Sequence, residues 1–174
     1  MPTPNKFAAL DAEVLMALGL GDEVCQGAVD GLHRLGFYCL VTETVLQELA
    51  DICEKGEDQE VRDHSKNTLG QITNWGFLTP ALNALKMGVA MQVAKNLVDT
   101  LMPDGEINDG LILAEAAYNE CRLFVTRRET ILKANREAIQ VSLMHADLNA
   151  VVVGSPEEIN SVVKAIEKET GPKP

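Results

Sequence analysis

Short apolar runs and longer stretches of helical period alternate along this chain. "KFAAL" stays apolar until Asp11 interrupts it, and "AEVLMAL" follows, which predicts a strand and then a helix. "FYCLVT", 37–42, is aromatic and β-branched, which predicts a second strand. In the helix expected behind it, Val45, Leu49 and Ile52 share one face, and Thr44 and Gln47 stand at capping-box spacing. The polar "EKGEDQE" marks a turn, after which another helix reaches about Trp75.

"GFLTP" reads as a short strand or a loop, and the pattern does not choose between them. Leu82, Leu85, Val89, Val93, Leu97 and Leu101 step by three and four, the stripe of a long amphipathic helix. "MPDGEIND" breaks it, because Pro and Gly interrupt helical hydrogen bonding. Residues 110–120, "GLILAEAAYNE", predict a helix whose small side chains suit close packing; "RLFVT" is then a strand and "RRETILKANREAI" a helix. Near the end, a strand at Ala150–Val153 leads into Ser155 as N-cap, Pro156 at the first helical position and Glu158 closing a capping box. Ile159, Val162, Val163 and Ile166 form the expected buried stripe of that helix. One domain is expected over 1–168, with 169–174, "ETGPKP", as a frayed tail.

Strands alternating with helices predict an α/β fold around a mainly parallel sheet. In such sheets ligands gather beyond the carboxyl ends of the strands, so the strand-to-helix junctions are where chemistry is expected. None of the junctions carries GxGxxG or GxxxxGK[ST], which excludes the usual dinucleotide and P-loop signatures.

Composition narrows the function. The formal net charge of −11 has the wrong sign for a general nucleic-acid binder, whose affinity comes mainly from Lys and Arg. The excess acid is either a solvated surface or is partly gathered in a cleft for a divalent cation. Cys25, Cys39, Cys53 and Cys121 form no CxxC pair and read as small buried hydrophobes, and His33, His64 and His145 sit in no zinc motif. No apolar run of about 18 residues predicts a membrane span. The start, "MPTPNKF", lacks a signal peptide's apolar core, and a cytoplasmic location is expected.

Three acids stand at or near junctions: Asp11 where the first strand ends, Glu48 in the helix after the second, and Asp109 opening the small-residue helix before "RLFVT". Each has a local explanation, as an N-cap, a solvated helix face and a first-turn acid respectively. In a parallel sheet they could also converge. Two carboxylates 4 Å apart repel by roughly 4 kcal/mol at an effective dielectric of 20, so a converged set needs protons, ion pairs or a cation. Hard oxygen ligands with open positions suit Mg²⁺ or Mn²⁺.

"FAALDAEVLMALG", "VTETVLQELAD", "INDGLILAEAAYNECRLFVT" and "AVVVGSPEEI", in this order and covering roughly residues 6–166, resemble a PIN domain, the family of small metal-dependent ribonucleases that includes VapC-type toxins. The resemblance implies an α/β/α sandwich with Mg²⁺ or Mn²⁺ held by Asp11, Glu48 and Asp109, single-stranded RNA as substrate, and an antitoxin as a protein partner. Self-association is a further expectation, for which the apolar helices between Gln59 and Leu101 offer surfaces. Thr126 matches the threonine that closes "FVT". Two residues later the family pattern places its fourth acid, and this chain has Arg128. Glu129 stands next to it as a substitute metal ligand, although Thr126-x-x-Glu129 also has capping-box spacing.

Three roles follow for the arginines. Arg128 fills the cleft and pairs with Asp11 or Asp109; or Arg127 and Arg128 grip substrate phosphate beside Lys133 and Arg136; or both are solvated. The first implies a non-catalytic module that binds a protein partner or RNA without cleaving it, the second a ribonuclease. A small-molecule-binding α/β domain is a third reading, recognisable by a large apolar pocket at the strand ends.

Overall fold

The computed structural model describes residues 5–171. Its centre is a sheet of four parallel strands in the order β2-β1-β3-β4: β1 (Lys6–Leu10), β2 (Phe37–Leu40), β3 (Cys121–Val125) and β4 (Val152–Gly154). From β1 the chain passes through α1 (Ala12–Gly19) and α2 (Glu23–Arg34) to the β2 edge. It returns through α3 (Glu43–Lys55), α4 (Gln59–Asn74), α5 (Ala84–Leu101) and α6 (Ile107–Tyr118) to β3 on the other side of β1. After β3 come α7 (Glu129–Leu132), α8 (Arg136–His145), β4 and α9 (Pro156–Thr170). Helices flank the sheet in an α/β/α sandwich: α2 packs on α9, α5 on α6 and α8, and α3 on α4 and α6.

Register brings the strand ends together. Leu10 pairs with Val125, and Val125 with Gly154. The ladder runs one residue further, with Asp11 N–H donating to Val125 O and Thr126 N–H to Gly154 O, both at 3.0 Å. Asp11 and Thr126 therefore lie side by side where the connections from β1 and β3 leave in opposite directions, the crevice that open α/β sheets use for ligands.

α6 is buried on every side from Asp109 to Ala117, as an all-round apolar helix must be. Its small residues serve as expected: a methyl group at Gly110 would collide with the Ala94 carbonyl of α5, so the two helices approach closely only because position 110 has no side chain. The Ser155–Glu158 capping box with Pro156 at its start is present as expected.

Of the two alternatives for "GFLTP" the structure has the loop, with one isolated bridge from Leu78 to Leu40. Several other local expectations need correction. α5 buries Ala90, Val93, Ala94 and Leu97, whereas Leu85 and Val89 are exposed, because the 18-residue α5 overhangs its 12-residue partner α6. On α9, Val162 is exposed; Ile159 and Val163 carry the contact, and the gap left by Gly31 on α2 receives Val163. α3 begins two residues earlier than a Thr44–Gln47 box would require, with Thr42 at the N-cap. "RRETILKANREAI" is two helices, since Asn135 caps α8 by accepting from Ala138 N–H and so ends α7 after one turn. α2, capped by Asp22, is an element the sequence reading did not resolve. α9 runs through Thr170, and residues 172–174 of the expected tail lie outside the described residues. Among the described residues no helix is long and apolar enough to cross a membrane.

Candidate functional site

Asp11, Glu48 and Asp109 converge at the carboxyl ends of β1 and β3, and Arg128 stands among them. Each acid arrives by its own local logic. Asp11 is the N-cap of α1 and accepts from Ala12 N–H at 2.7 Å. Asp109 is the third residue of α6 and accepts from Glu106 N–H at 2.9 Å in a capping box. Glu48 projects from α3 and accepts from the Asn108 amide at 3.1 Å. The cap roles of Asp11 and Asp109 are thus real and coexist with membership of the cluster.

The guanidinium of Arg128 ties the three together. Its Nε and Nη2 grip Asp11 side-on at 2.8 and 2.9 Å, Nη2 also donates to Glu48, and Nη1 reaches Asp109 at 3.0 Å. Two threonines complete the shell: Thr126 Oγ1 donates to Asp11 at 2.6 Å while accepting from Arg128 N–H, and Thr130 Oγ1 donates to Asp109 at 3.0 Å. Every oxygen of the three carboxylates consequently accepts a hydrogen bond from the protein. Asp11 is fully buried and Asp109 nearly so, while the Arg128 side chain keeps 17% exposure. Burial alone would lower the arginine's pKa, but Asp11 and Glu48 outweigh it and hold it above the ordinary value. Burial likewise pushes Glu48 up, against the hydrogen bond and charge of Arg128.

The two arginines point to different places. Arg128 fills the cleft. Arg127 turns the other way, to Asp22 at 3.3 Å and Glu157 at 2.9 Å. Lys133 pairs with Glu129 at 2.6 Å and Arg136 with Glu158 at 2.9 Å, so the four cations expected to grip phosphate are all engaged by the protein's own acids. Glu129 is exposed, stands outside the carboxylate cluster and closes no box with Thr126, whose hydroxyl is committed to Asp11; the N-cap of α7 is Arg128 itself. Two cations at the start of a helix face the positive end of its dipole, but α7 is a single turn and that opposition is small.

A divalent cation at this place would need carboxylate oxygens turned toward it with lone pairs free. As arranged, those lone pairs face the Arg128 fork, and among the described residues no group of three or more His, Cys, Asp and Glu side chains is placed to hold a metal ion. The residues present therefore do not fit Mg²⁺ or Mn²⁺ while the arginine is in place.

Sequence reasoning did not single out Asn108, Glu106, Thr130 or Glu115 for this site. Glu115, nearly fully buried on α6, accepts from Thr44 N–H at 3.2 Å and so caps α3 from outside, where the side chain of Thr42 does not. Its Oε2 and the Thr42 hydroxyl have no hydrogen-bond partner among the described residues, and burial pushes its pKa up. A lone Glu inside "LILAEAAY" was the available signal. The outer wall of the site is a groove of about 720 Å³ where Glu13, Glu48, Asp51, Glu57 and Glu106 join Arg128.

The fold is that of a VapC-like PIN domain. Similar solved structures include VapBC2 from Rickettsia felis, bound to a DNA fragment from its promoter, at 12% identity and a TM-score of 0.59, covering 86% of this chain and 98% of that one. Another is VapBC-5 from Mycobacterium tuberculosis, a member of the VapBC family of toxin-antitoxin systems, at 16% identity and a TM-score of 0.52, covering 84% of this chain and 96% of that one. No family model and no curated protein matches the sequence.

Proposed function

We propose that this chain is a non-cleaving PIN-fold module that recognises a protein partner with a cationic contact surface. The observation that carries this reading is the Arg128 fork, which satisfies all three acids that a PIN-type ribonuclease would use for its cation. Phosphate would find little here. Arg127, Lys133 and Arg136 are engaged, and the groove wall presents Glu13, Asp51, Glu57 and Glu106, which repel a polyanion and attract lysines and arginines. The structural neighbours were solved as VapBC assemblies, which supports a protein partner for this fold.

The ribonuclease reading keeps one favourable observation, the convergence of Asp11, Glu48 and Asp109 on a single point. One experiment separates the two. Wild type and Asp109→Asn are incubated with a mixed-sequence single-stranded RNA pool in Mn²⁺, with gel-shift lanes run in parallel. The module reading expects no cleavage and no shifted RNA with either protein. Cleavage by wild type that disappears in Asp109→Asn would overturn it in favour of the nuclease, and a specific RNA shift without cleavage would replace the protein partner by RNA.

A further inference from the structure

We infer that the small pocket between α2 and the end of α4 binds an organic monocation of quaternary-ammonium type, a trimethylammonium head carried by a free molecule or by a methylated lysine. The pocket encloses about 230 Å³ and shares no lining residue with the acid cluster or with the groove outside it. Its occupancy does not depend on where Arg128 points.

The ending of α4 builds an aromatic wall. Trp75 is the C-cap, and Gly76 follows with a φ of +73°, a left-handed conformation that glycine adopts without a Cβ penalty. Phe77 N–H then donates back to Ile72 O at 3.2 Å and Gly76 N–H to Thr73 O at 3.0 Å, the paired bonds of a Schellman ending. That turn sets Trp75 beside Phe77, with ring centroids 5.5 Å apart and planes inclined by 43°. His33 of α2 adds a third ring, 6.3 Å from Phe77. Leu18 and Val29, both buried, supply aliphatic lining, and the exposed Gln26 and Asp30 of α2 stand on the solvent side.

Size, charge and hydrogen bonding select the occupant. Ligand sites for drug-sized molecules span roughly 300–1,000 Å³, so this smaller pocket suits a head group. Asp30 is the only acid in the lining; one of its oxygens accepts from the Gln26 amide at 3.0 Å, and Arg34, one turn along α2, is engaged by Glu167 at 2.7 Å instead. The last turn of the 16-residue α4 carries no basic residue, so the negative end of its dipole also lacks a cation. An anion is disfavoured on both counts. A primary ammonium or a guanidinium would bring three to five N–H donors into a lining with few acceptors. A quaternary ammonium donates none, presents methyl groups to Leu18 and Val29, and is attracted to aromatic rings.

Trp75 is the chain's single tryptophan, so its emission reports on the pocket directly. The full chain is titrated at constant ionic strength with choline, with its neutral carbon isostere dimethylbutanol, and with a short peptide containing trimethyl-lysine. The expected result is a saturable change in emission with choline, roughly ten-fold weaker binding of the isostere, and a similar loss of choline affinity in Asp30→Asn. Glu23→Gln removes the same charge from the same helix outside the pocket and should bind choline as wild type does. Both acids are exposed, so neither exchange threatens the fold. A peptide that binds well above choline assigns the head group to a protein side chain; one that binds no better assigns it to a free molecule. Absence of a saturable response to either trimethylammonium ligand, an isostere that binds as well as choline, or equal choline affinities in Asp30→Asn and Glu23→Gln would each overturn the site.

Discussion

Arg127 and Arg128 leave the end of β3 one residue apart and enter opposite environments. Arg128, 17% exposed, meets carboxylates with 0%, 6% and 16% side-chain exposure; Arg127, at 29%, meets Asp22 at 31% and Glu157 at 55%. Residue type, chain position and number of bonds are similar. Water is the difference. Around Arg127 the solvent screens the charges, and such pairs are worth roughly 0–1 kcal/mol. Around Arg128 the acids are already desolvated, so the cost of breaking the pair is the cost of leaving buried charge uncompensated, about 3–5 kcal/mol. Adjacent letters in a sequence can thus differ several-fold in energetic consequence when the fold turns one inward.

The largest test of this contrast is Arg128→Ala, for which urea unfolding at neutral pH without divalent metal should show a loss of about 3–5 kcal/mol. A loss below about 1 kcal/mol would mean that the buried cluster behaves like a surface pair. An intermediate effect is expected at Glu115, a buried carboxylate with no guanidinium beside it. Gln at that position can still accept from Thr44 N–H and can donate to the orphaned Thr42 hydroxyl, so Glu115→Gln should stabilise by about 1 kcal/mol at pH 7. The sign with pH follows from burial, which raises the pKa from its ordinary 4.5: the carboxyl's contribution is intact below 4.5 and is lost as pH rises through the folded-state value. The gain from Gln, which does not titrate, should therefore shrink toward pH 4; chemical denaturation across that range checks it, and a pH-independent gain would exclude protonation as the cause. Smallest is Arg127→Ala, expected to cost under about 1 kcal/mol and to cost less still in high salt. A loss of several kcal/mol there would end the distinction between the two arginines.

Much of the scaffold could be read from local signals because those signals were local in origin. Asp11 after an apolar run, Ser155-Pro156 before a helical stripe and the small residues around Gly110 each state their role within a few positions. The convergence of residues 11, 48 and 109 is a property of strand order, which periodicity does not encode, and came through family resemblance. Where Arg128 points was left open for the same reason: a five-donor fork chooses its partners in three dimensions. The misread helix ends have a common physical source. Asn135 interrupted what looked like one helix because a side-chain cap competes with helical continuation, and α3 took its cap from Glu115, 71 positions away. The overhang of α5 shows the limit of a hydrophobic stripe, which tells which face is apolar but not how long the neighbour is.

The order of the strands also has a meaning in time. A ribosome adds roughly 5–20 residues per second from the N-terminus, so Asp11, Glu48 and Asp109 are all synthesised before Arg128. Until that residue emerges, any attempt of α3 and α6 to dock at the end of β1 brings like charges together with nothing between them. β3, which hydrogen-bonds to β1 and fills the middle of the sheet, carries the arginine three residues beyond its own end. The strand that gives β1 its second neighbour and the residue that neutralises the acids are thus made within a few positions of each other, and a polypeptide released before position 121 would have neither.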